Sequence, residues 1–319
     1  MIIIITISTS ASVIASALPN SGLVRISPLM VRAAYSSGTP ALGVGPGNVP
    51  AFIERTADVP TAVRRIMASK TFDNGTICAS EQAVVTEACI QSEVIAAFRA
   101  QGGYFVSGED ARRVEALIRR PGSDTVNPRI VGQSAAAIAE LAGIRVPADT
   151  RVILCQQDKV GPDAPFSMEK LSPLLAFYTE QNWQGACERC LELLRFGGIG
   201  HSLAIHTENR EIVRAFLLQK PVSRLLINTG STQGGIGATT GIMPSLTLGC
   251  GAVGGSATSD NVTVQHLFQI RRAAWGLIEP EAVGSHPAQT TAGDATDAQL
   301  EAIVQAVLQK LRGPGYNAQ

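Results

Sequence analysis

The sequence carries no net charge, because Lys plus Arg and Asp plus Glu both number 26 in its 319 residues. That balance excludes the global attraction to nucleic acid or to an anionic membrane that a basic chain would show, so a ligand has to be recognised locally. Long apolar runs are lacking too. The stretch 1–19 is apolar and Ser-rich, but Ser, Thr and Pro break it too often for it to span a bilayer. No Lys or Arg precedes Arg25, so the charged leader region of a secretory signal is missing, although Ala15-Ser16-Ala17 imitates a cleavage site. A strand over 2–7, a Ser-rich turn and a short helix are expected there instead. The six cysteines are few and scattered, which suits a reducing cytoplasm and not a disulfide framework. Cys187 and Cys190 form a C-x-x-C without a second ligand pair, inside a helical pattern, so two half-buried helix thiols are expected and no metal. There is no internal repeat.

What is present is an apolar content of 45%, enough for a sizeable core in one large domain or two. From Val31 onward, short β-branched runs alternate with amphipathic helices, the pattern of an α/β chain built from crossover units. Strands are expected at 51–53, 81–86, 151–155, 202–206 and 224–228. Helices are expected at 59–68, 92–101, 108–118, 134–142, 172–178, 183–196 and 209–220. Between Asn228 and Gly255 glycine is far denser than strands or helices tolerate. Such density serves close backbone approach, either to a ligand or to another segment, and the interleaved Ile236, Leu246 and Leu248 argue against a merely flexible loop.

Beyond Trp275 the composition changes again. Residues 276–295 mix Pro, Gly, Ala and Thr and read as a linker. In 296–313, Leu300, Ile303, Val304, Val307, Leu308 and Leu311 form a narrow aliphatic stripe on one helix, opened by Thr296 and Gln299 as a capping box. A helix this short is marginal alone, so its stripe needs a partner surface.

The chemistry centres on Cys78. It sits in a small, polar loop between a helix and the strand at 81–86, and a thiol at a strand mouth among Asn, Gly and Ser is a candidate nucleophile if it can be reached. By residue type alone, a lone loop cysteine is more often inert.

Five ordered segments carry a family resemblance: Ser69-Lys-Thr-Phe-Asp-Asn-Gly-Thr-Ile-Cys78-Ala-Ser-Glu-Gln82, Glu169-Lys-Leu-Ser-Pro173, Gly197-Gly-Ile-Gly-His201, Gln233-Gly-Gly-Ile-Gly237 and Pro244-Ser-Leu-Thr-Leu-Gly-Cys-Gly251. Together they resemble the successive motifs of CoA-acylating aldehyde dehydrogenases, the acetaldehyde and propionaldehyde type. The implied fold is α/β and aldehyde dehydrogenase-like: a catalytic α/β domain beside an incomplete, Rossmann-type nucleotide-binding domain. The implied reaction oxidises a short-chain aldehyde with NAD and passes the acyl group to coenzyme A through a Cys78 thioester. The resemblance assigns Cys78 as nucleophile, with its backbone N–H helping to hold the oxyanion. Glu169 matches a carboxylate that touches the nicotinamide ribose. His201 matches a histidine able to assist deprotonation of the CoA thiol, the other reading being a residue that only bonds its turn. His206 has no motif support and reads as structural. The turn Gly43-Val-Gly45-Pro-Gly47-Asn48 resembles one close to the nicotinamide end of the cofactor, and Gly235 falls in a further cofactor-side motif. Hydrolytic members of the superfamily carry a glutamate where Gly43 stands here, and its absence favours a thiol acceptor over water.

The resemblance implies this organisation: 1–68 as a remnant of the nucleotide-binding domain with 1–29 atypical, 69–255 as the catalytic domain, 256–275 as a return segment, then the linker and the helix. Residues 1–29 do not match, which implies a truncated product. The linker and helix resemble encapsulation peptides of bacterial microcompartments, implying a shell protein as partner through 296–313, with a homo-oligomer also expected and the cytoplasm or a microcompartment as location. Two rivals accompany this reading: a catalytically silent cargo or binding component, and a hydrolytic dehydrogenase releasing free acid.

Overall fold

The computed structural model describes residues 41–277, together with Ile3–Ile5, Ala33, Tyr35, Ser36, Glu301 and Gln305. The linker beyond Leu277 and most of the expected helix at 296–313 lie outside the described residues, as do most of 1–40.

Strand β1 (Ile3–Ile5) pairs in parallel with β2 (Ala41–Gly43) as a separate two-stranded sheet. The main body follows as β3 (Val49–Ile53), α1 (Val59–Thr71), β4 (Glu81–Glu87), α2 (Gln91–Ala100), β5 (Gly103–Val106), α3 (Gly108–Ile118) and α4 (Ala135–Ala142). It continues through β6 (Val152–Gln156), β7 (Leu174–Glu180), α5 (Trp183–Gly197), β8 (Gly200–His206), α6 (Arg210–Gln219), β9 (Val222–Ile227) and the short α7 (Ser231–Gly235). The strands from β3 to β9 form one seven-stranded sheet in the order β5-β6-β7-β4-β3-β8-β9, and every neighbouring pair is parallel.

Side chains alternate between the two sheet faces, and each face has its own core. Phe52, Ala83, Val85, Leu174, Ala176, Leu203 and Ile205 pack with the inner faces of α3, α4, α5 and α6, including Val114, Ile138, Leu194 and Phe216. Ala51, Ile53, Val84, Leu175, Phe177 and Ala204 pack with Val63, Ile66 and Met67 of α1 and with Val94 and Phe98 of α2. Covering both faces with helices is what a parallel sheet requires, since its crossovers place them there.

Local chemistry sets the helix starts. The Asp58 carboxylate accepts from Thr61 N at 2.8 Å ahead of α1, Ser134 caps α4, Asn182 caps α5, and Asn209 accepts from Glu211 N and Ile212 N ahead of α6. Each side-chain oxygen satisfies an amide that the first helical turn leaves without a partner.

Two expectations need correction. Residues 172–178 are not helical: Leu174–Glu180 is a strand beside the centre of the sheet, with its first five residues buried. The run Leu-Leu-Ala-Phe-Tyr is apolar on both faces and so lacks the alternation that marks a half-exposed strand. The domain boundary between 68 and 69 also fails, because it cuts α1 and parts β3 from β4, its hydrogen-bonded neighbour. Residues 49–68 belong to the same sheet as the Cys78 loop. By compactness the chain divides instead at Phe268.

Candidate active site

Every motif residue singled out around Cys78 enters the fold at the amino-terminal ends of the strands. Gly47 and Asn48 lead into β3, Cys78 into β4 and Glu169 into β7, while His201 and Arg224 lie near the starts of β8 and β9. Ligands of open α/β sheets ordinarily gather beyond the carboxyl ends, so this cluster uses the opposite rim.

The Cys78 loop is held in an unusual conformation. Asp73 and Asn74 have φ of 47° and 48°, followed by Gly75 at 75°, so the chain turns sharply out of α1. Left-handed backbone costs a non-glycine residue on the order of 1 kcal/mol. Local bonds offset that cost: Thr76 Oγ1 donates to the Asp73 side chain, and Asn74 Nδ2 donates to Gly132 O at 3.0 Å. Gly132 N in turn donates to Leu171 O at 2.9 Å, tying the cysteine loop to the Glu-Lys-Leu-Ser-Pro segment. Leu171 also has a positive φ, 50°, and a Cβ on Gly75 would meet the Ser172 carbonyl at 3.0 Å.

The condition that the Cys78 thiol be reachable is not met in this state. Cys78 is 2% exposed and packs with Ala79, Leu248 and Ile77. The turn ahead of β3 lies across it: a Cβ on Gly47 would sit 1.8 Å from the Cys78 carbonyl oxygen, so only glycine lets the two backbones touch. Burial, then Glu169 and Cys250, push the thiol up to about 12, against opposing pulls from Arg224 and its own amide. In this state it is a thiol and not a thiolate.

Glu169 joins the same junction. Its Oε1 accepts from Gly47 N at 2.9 Å. The side chain keeps some exposed surface, yet the protein packed around it pushes the carboxyl up to about 7, against the pull of the Gly47 amide and of Lys70 and Lys170. Behind it lies a buried polar layer. Lys170 Nζ donates to the carbonyls of Phe166, Met168 and Gln82 at 2.6, 2.7 and 3.0 Å, matching the three donors of an ammonium group. Glu81 accepts from Ser69 Oγ at 2.5 Å and from Ser231 N at 2.7 Å, anchoring the start of α7. Burial pushes Lys70 and Lys170 down and Glu81 up.

His201 is fully buried, with Nδ1 3.1 Å from Ser202 Oγ and 3.4 Å from where a Gly47 Cβ would stand. Its Nε2 has no protein partner. Burial, reinforced by Arg224, lowers the imidazole to about 3, so it stays neutral.

The remaining residues expected at a cofactor all make contacts within the chain. Asn48 is buried and its Nδ2 bridges Ser167 O at 2.8 Å and Leu193 O at 2.9 Å, locking α5 to the loop before β7. Gly235 faces inward, where a Cβ would meet Ala79 at 3.3 Å. Gly43 exchanges both backbone hydrogen bonds with the Tyr35 hydroxyl, while Gly45 approaches Cys250 Sγ and Gly254 O. The glycine-dense segment thus achieves close approach between segments: a Cβ on Gly200 would fall 2.2 Å from Cys250 O, and one on Gly249 2.3 Å from Thr258 O. A cavity of about 710 Å³ lined by residues such as Asp158, Pro162, Arg189 and Phe196 includes none of the motif residues. Cys187 and Cys190 lie in the core, and His206 is buried at the far end of β8.

One buried charge beside Cys78 escaped sequence reading. Arg224 is buried and donates to Ser202 Oγ, His201 O, Gly249 O, Ser259 O and Asn261 Oδ1 at 2.7 to 3.4 Å. It supplies the positive charge that opposes the upward push on Cys78 and Cys250. The lone arginine in Val-Ser-Arg-Leu-Leu-Ile was its signal.

No family model matches the chain. Over 252 residues it is 44% identical to the bifunctional aldehyde-alcohol dehydrogenase of Escherichia coli (strain K12), a match taking in 77% of this chain and 28% of that protein. It is 35% identical over 246 residues to a succinate-semialdehyde dehydrogenase (acetylating) of Clostridium kluyveri, covering 77% of this chain and 54% of that one. An acetylating aldehyde dehydrogenase from Geobacillus thermoglucosidasius superposes with a TM-score of 0.77 and 49% identity, over 79% of this chain and 56% of that chain. The chain therefore spans under a third of the first of these relatives and just over half of the other two. The main body has the α/β fold of the acylating aldehyde dehydrogenases.

Proposed function

We propose that the chain carries the thiol-bearing catalytic part of an NAD-dependent, CoA-acylating aldehyde dehydrogenase, with Cys78 as nucleophile. The observation that carries this reading is the convergence of Cys78, Gly47, Glu169 and His201 from four separate segments onto one rim of the sheet. The Cys78 sulfur adds to the aldehyde carbonyl, forming a C–S bond and a tetrahedral oxyanion. Loss of hydride from that carbon leaves a thioester on Cys78. CoA sulfur then attacks the thioester and the Cys78 sulfur leaves, so aldehyde, CoA and NAD⁺ become acyl-CoA, NADH and a proton.

NAD, when bound, supplies the hydride acceptor. Glu169, a partly exposed carboxylate fixed through Gly47, fits a ribose hydroxyl beside Cys78. Gly45 and Gly47 supply backbone without side chains at the same place. The turn from Gly43 to Asn48 itself carries no Asp or Glu, so the one carboxyl at this place is Glu169, which is engaged by the Gly47 amide, an arrangement that supports transfer to CoA over hydrolysis. Residues 69–255 hold the proposed chemistry together with 41–68. Residues 276–313 are read as a linker and a targeting helix whose aliphatic stripe docks on a microcompartment shell protein, with the enzyme a homo-oligomer.

The decisive experiment compares NADH formation from acetaldehyde or propionaldehyde, with and without CoA, for the wild type and Cys78→Ala. CoA-dependent NADH lost in the variant supports the proposal, and equal rates in the two proteins refute it.

A further inference from the structure

We infer that Ser202, held by Arg224, is a positioning residue that fixes the tautomer of His201, so that the imidazole keeps its proton on Nε2 and offers Nε2–H as a hydrogen-bond donor. The structural content stands by itself, and its consequence for catalysis rests on the reading of Cys78 proposed above.

A guanidinium N–H can only donate, so Arg224 Nε gives its proton to Ser202 Oγ, 3.2 Å away. The other neighbour of that hydroxyl is His201 Nδ1 at 3.1 Å. If Nδ1 carried a proton, Ser202 would accept twice while its own buried hydroxyl proton found no acceptor, and His201 Nε2 would also be left unpaired. If Ser202 donates to Nδ1, a single group is left over, Nε2–H. Each buried polar group without a partner costs roughly 1–3 kcal/mol, so the second arrangement prevails.

Arg224 makes the arrangement rigid. Its Nη2 is held by Gly249 O at 2.7 Å and His201 O at 3.3 Å, and its Nη1 by Ser259 O at 3.2 Å and Asn261 Oδ1 at 3.4 Å. With all the fork donors engaged, the guanidinium cannot turn to release Ser202. A lysine could not reproduce this, having one compact cation in place of a planar fork.

The ring nitrogen Nδ1 and the Cys78 carbonyl oxygen both approach the place where a Gly47 Cβ would stand, at 3.4 and 1.8 Å. A neutral imidazole with its proton on Nε2 cannot take a thiol proton there. It can donate to an oxygen or sulfur that gathers negative charge, the class of group formed when a thiolate adds to a carbonyl. His201 is thereby a donor through Nε2.

The test is ¹⁵N NMR of the full chain, reading the protonation of both His201 ring nitrogens near neutral pH, with the His201 signals identified by their loss in His201→Gln. The wild type and Ser202→Thr should each show Nε2 protonated and Nδ1 bare, whereas Ser202→Ala should show both tautomers. A protonated Nδ1 in the wild type, or a Ser202→Ala spectrum equal to the wild type, overturns the inference. If Ser202→Ala does not fold, the wild-type and Ser202→Thr spectra decide it. In the CoA-dependent assay, Ser202→Ala should lower kcat by roughly 10-fold, less than the 10²–10³ for losing a donor outright, with Ser202→Thr restoring it. Absence of NADH formation by the wild type would refute the enzymatic reading while leaving the tautomer result standing.

Discussion

Gly47→Ala isolates the contact on which the site depends. The added methyl would stand 1.8 Å from the Cys78 carbonyl oxygen and 2.9 Å from its carbon, so one of the two backbones has to move by more than an ångström. Gly47 has no positive φ, which makes the perturbation steric and not conformational. Restricting the unfolded chain would by itself stabilise the alanine variant by about 0.4–1 kcal/mol. Overpacking costs about 1–3 kcal/mol, and the shift also strains the 2.9 Å bond from Gly47 N to Glu169. A net loss of about 1–2 kcal/mol is expected, which lowers Tm by roughly 2–8 °C at this size. Misplacing a reacting group by about 1 Å costs on the order of 10²-fold in rate, so the acyl-transfer burst should fall by about that factor. Gly241→Ala is the control, since its methyl meets nothing within 4 Å and its φ is ordinary. Thermal scanning and rapid-quench measurement of the burst would be run on both variants. A Gly47→Ala protein that melts and reacts like Gly241→Ala would refute the packing described here.

Further expectations concern charge. Glu169→Gln removes the anion that, after burial, does most to keep the Cys78 proton in place, so iodoacetamide should modify Cys78 faster at pH 9, by less than about tenfold; a slower reaction would contradict the assignment. His206 is held at about 3 by burial and Arg65, well below its ordinary value. The unfolded chain therefore takes up a proton below about pH 6.5 that the folded chain refuses, and stability present above that pH is lost on acidification. His206→Leu should spare the protein about 2 kcal/mol of the loss between pH 7 and pH 5, measured by urea denaturation, and parallel losses in both proteins would refute this. Cys250→Ala should keep CoA-dependent NADH formation within about threefold of the wild type, because the reading makes Cys78 the nucleophile; a loss as complete as that of Cys78→Ala would reverse the assignment.

Much of this was legible because α/β chains write their layers into local patterns. Helix α3 and the caps at Ser134 and Asn209 follow directly from periodicity and capping chemistry. Strand β7 did not, because burial on both faces erases alternation, and β5 is too short to stand out. Cys78, Glu169 and His201, named by the motifs, all lie around Gly47, yet the motifs gave no warning that the sulfur is covered. Its cover is the turn at Gly47, remote in sequence and recognisable only as a glycine. Arg224 and Ser202 were missed because polar residues in an apolar strand read as solvent-facing. In fact the strand turns them inward, toward carbonyls supplied by distant loops.

Placing Cys78 on the amino rim of a parallel sheet has an electrical consequence. Each crossover helix ends where its strand begins, so α1 delivers its carboxyl end, with the negative pole of its dipole, toward the Cys78 loop. Together with Glu169 this field acts as a safety catch: the resting sulfur keeps its proton and, being covered, offers peroxides little to oxidise.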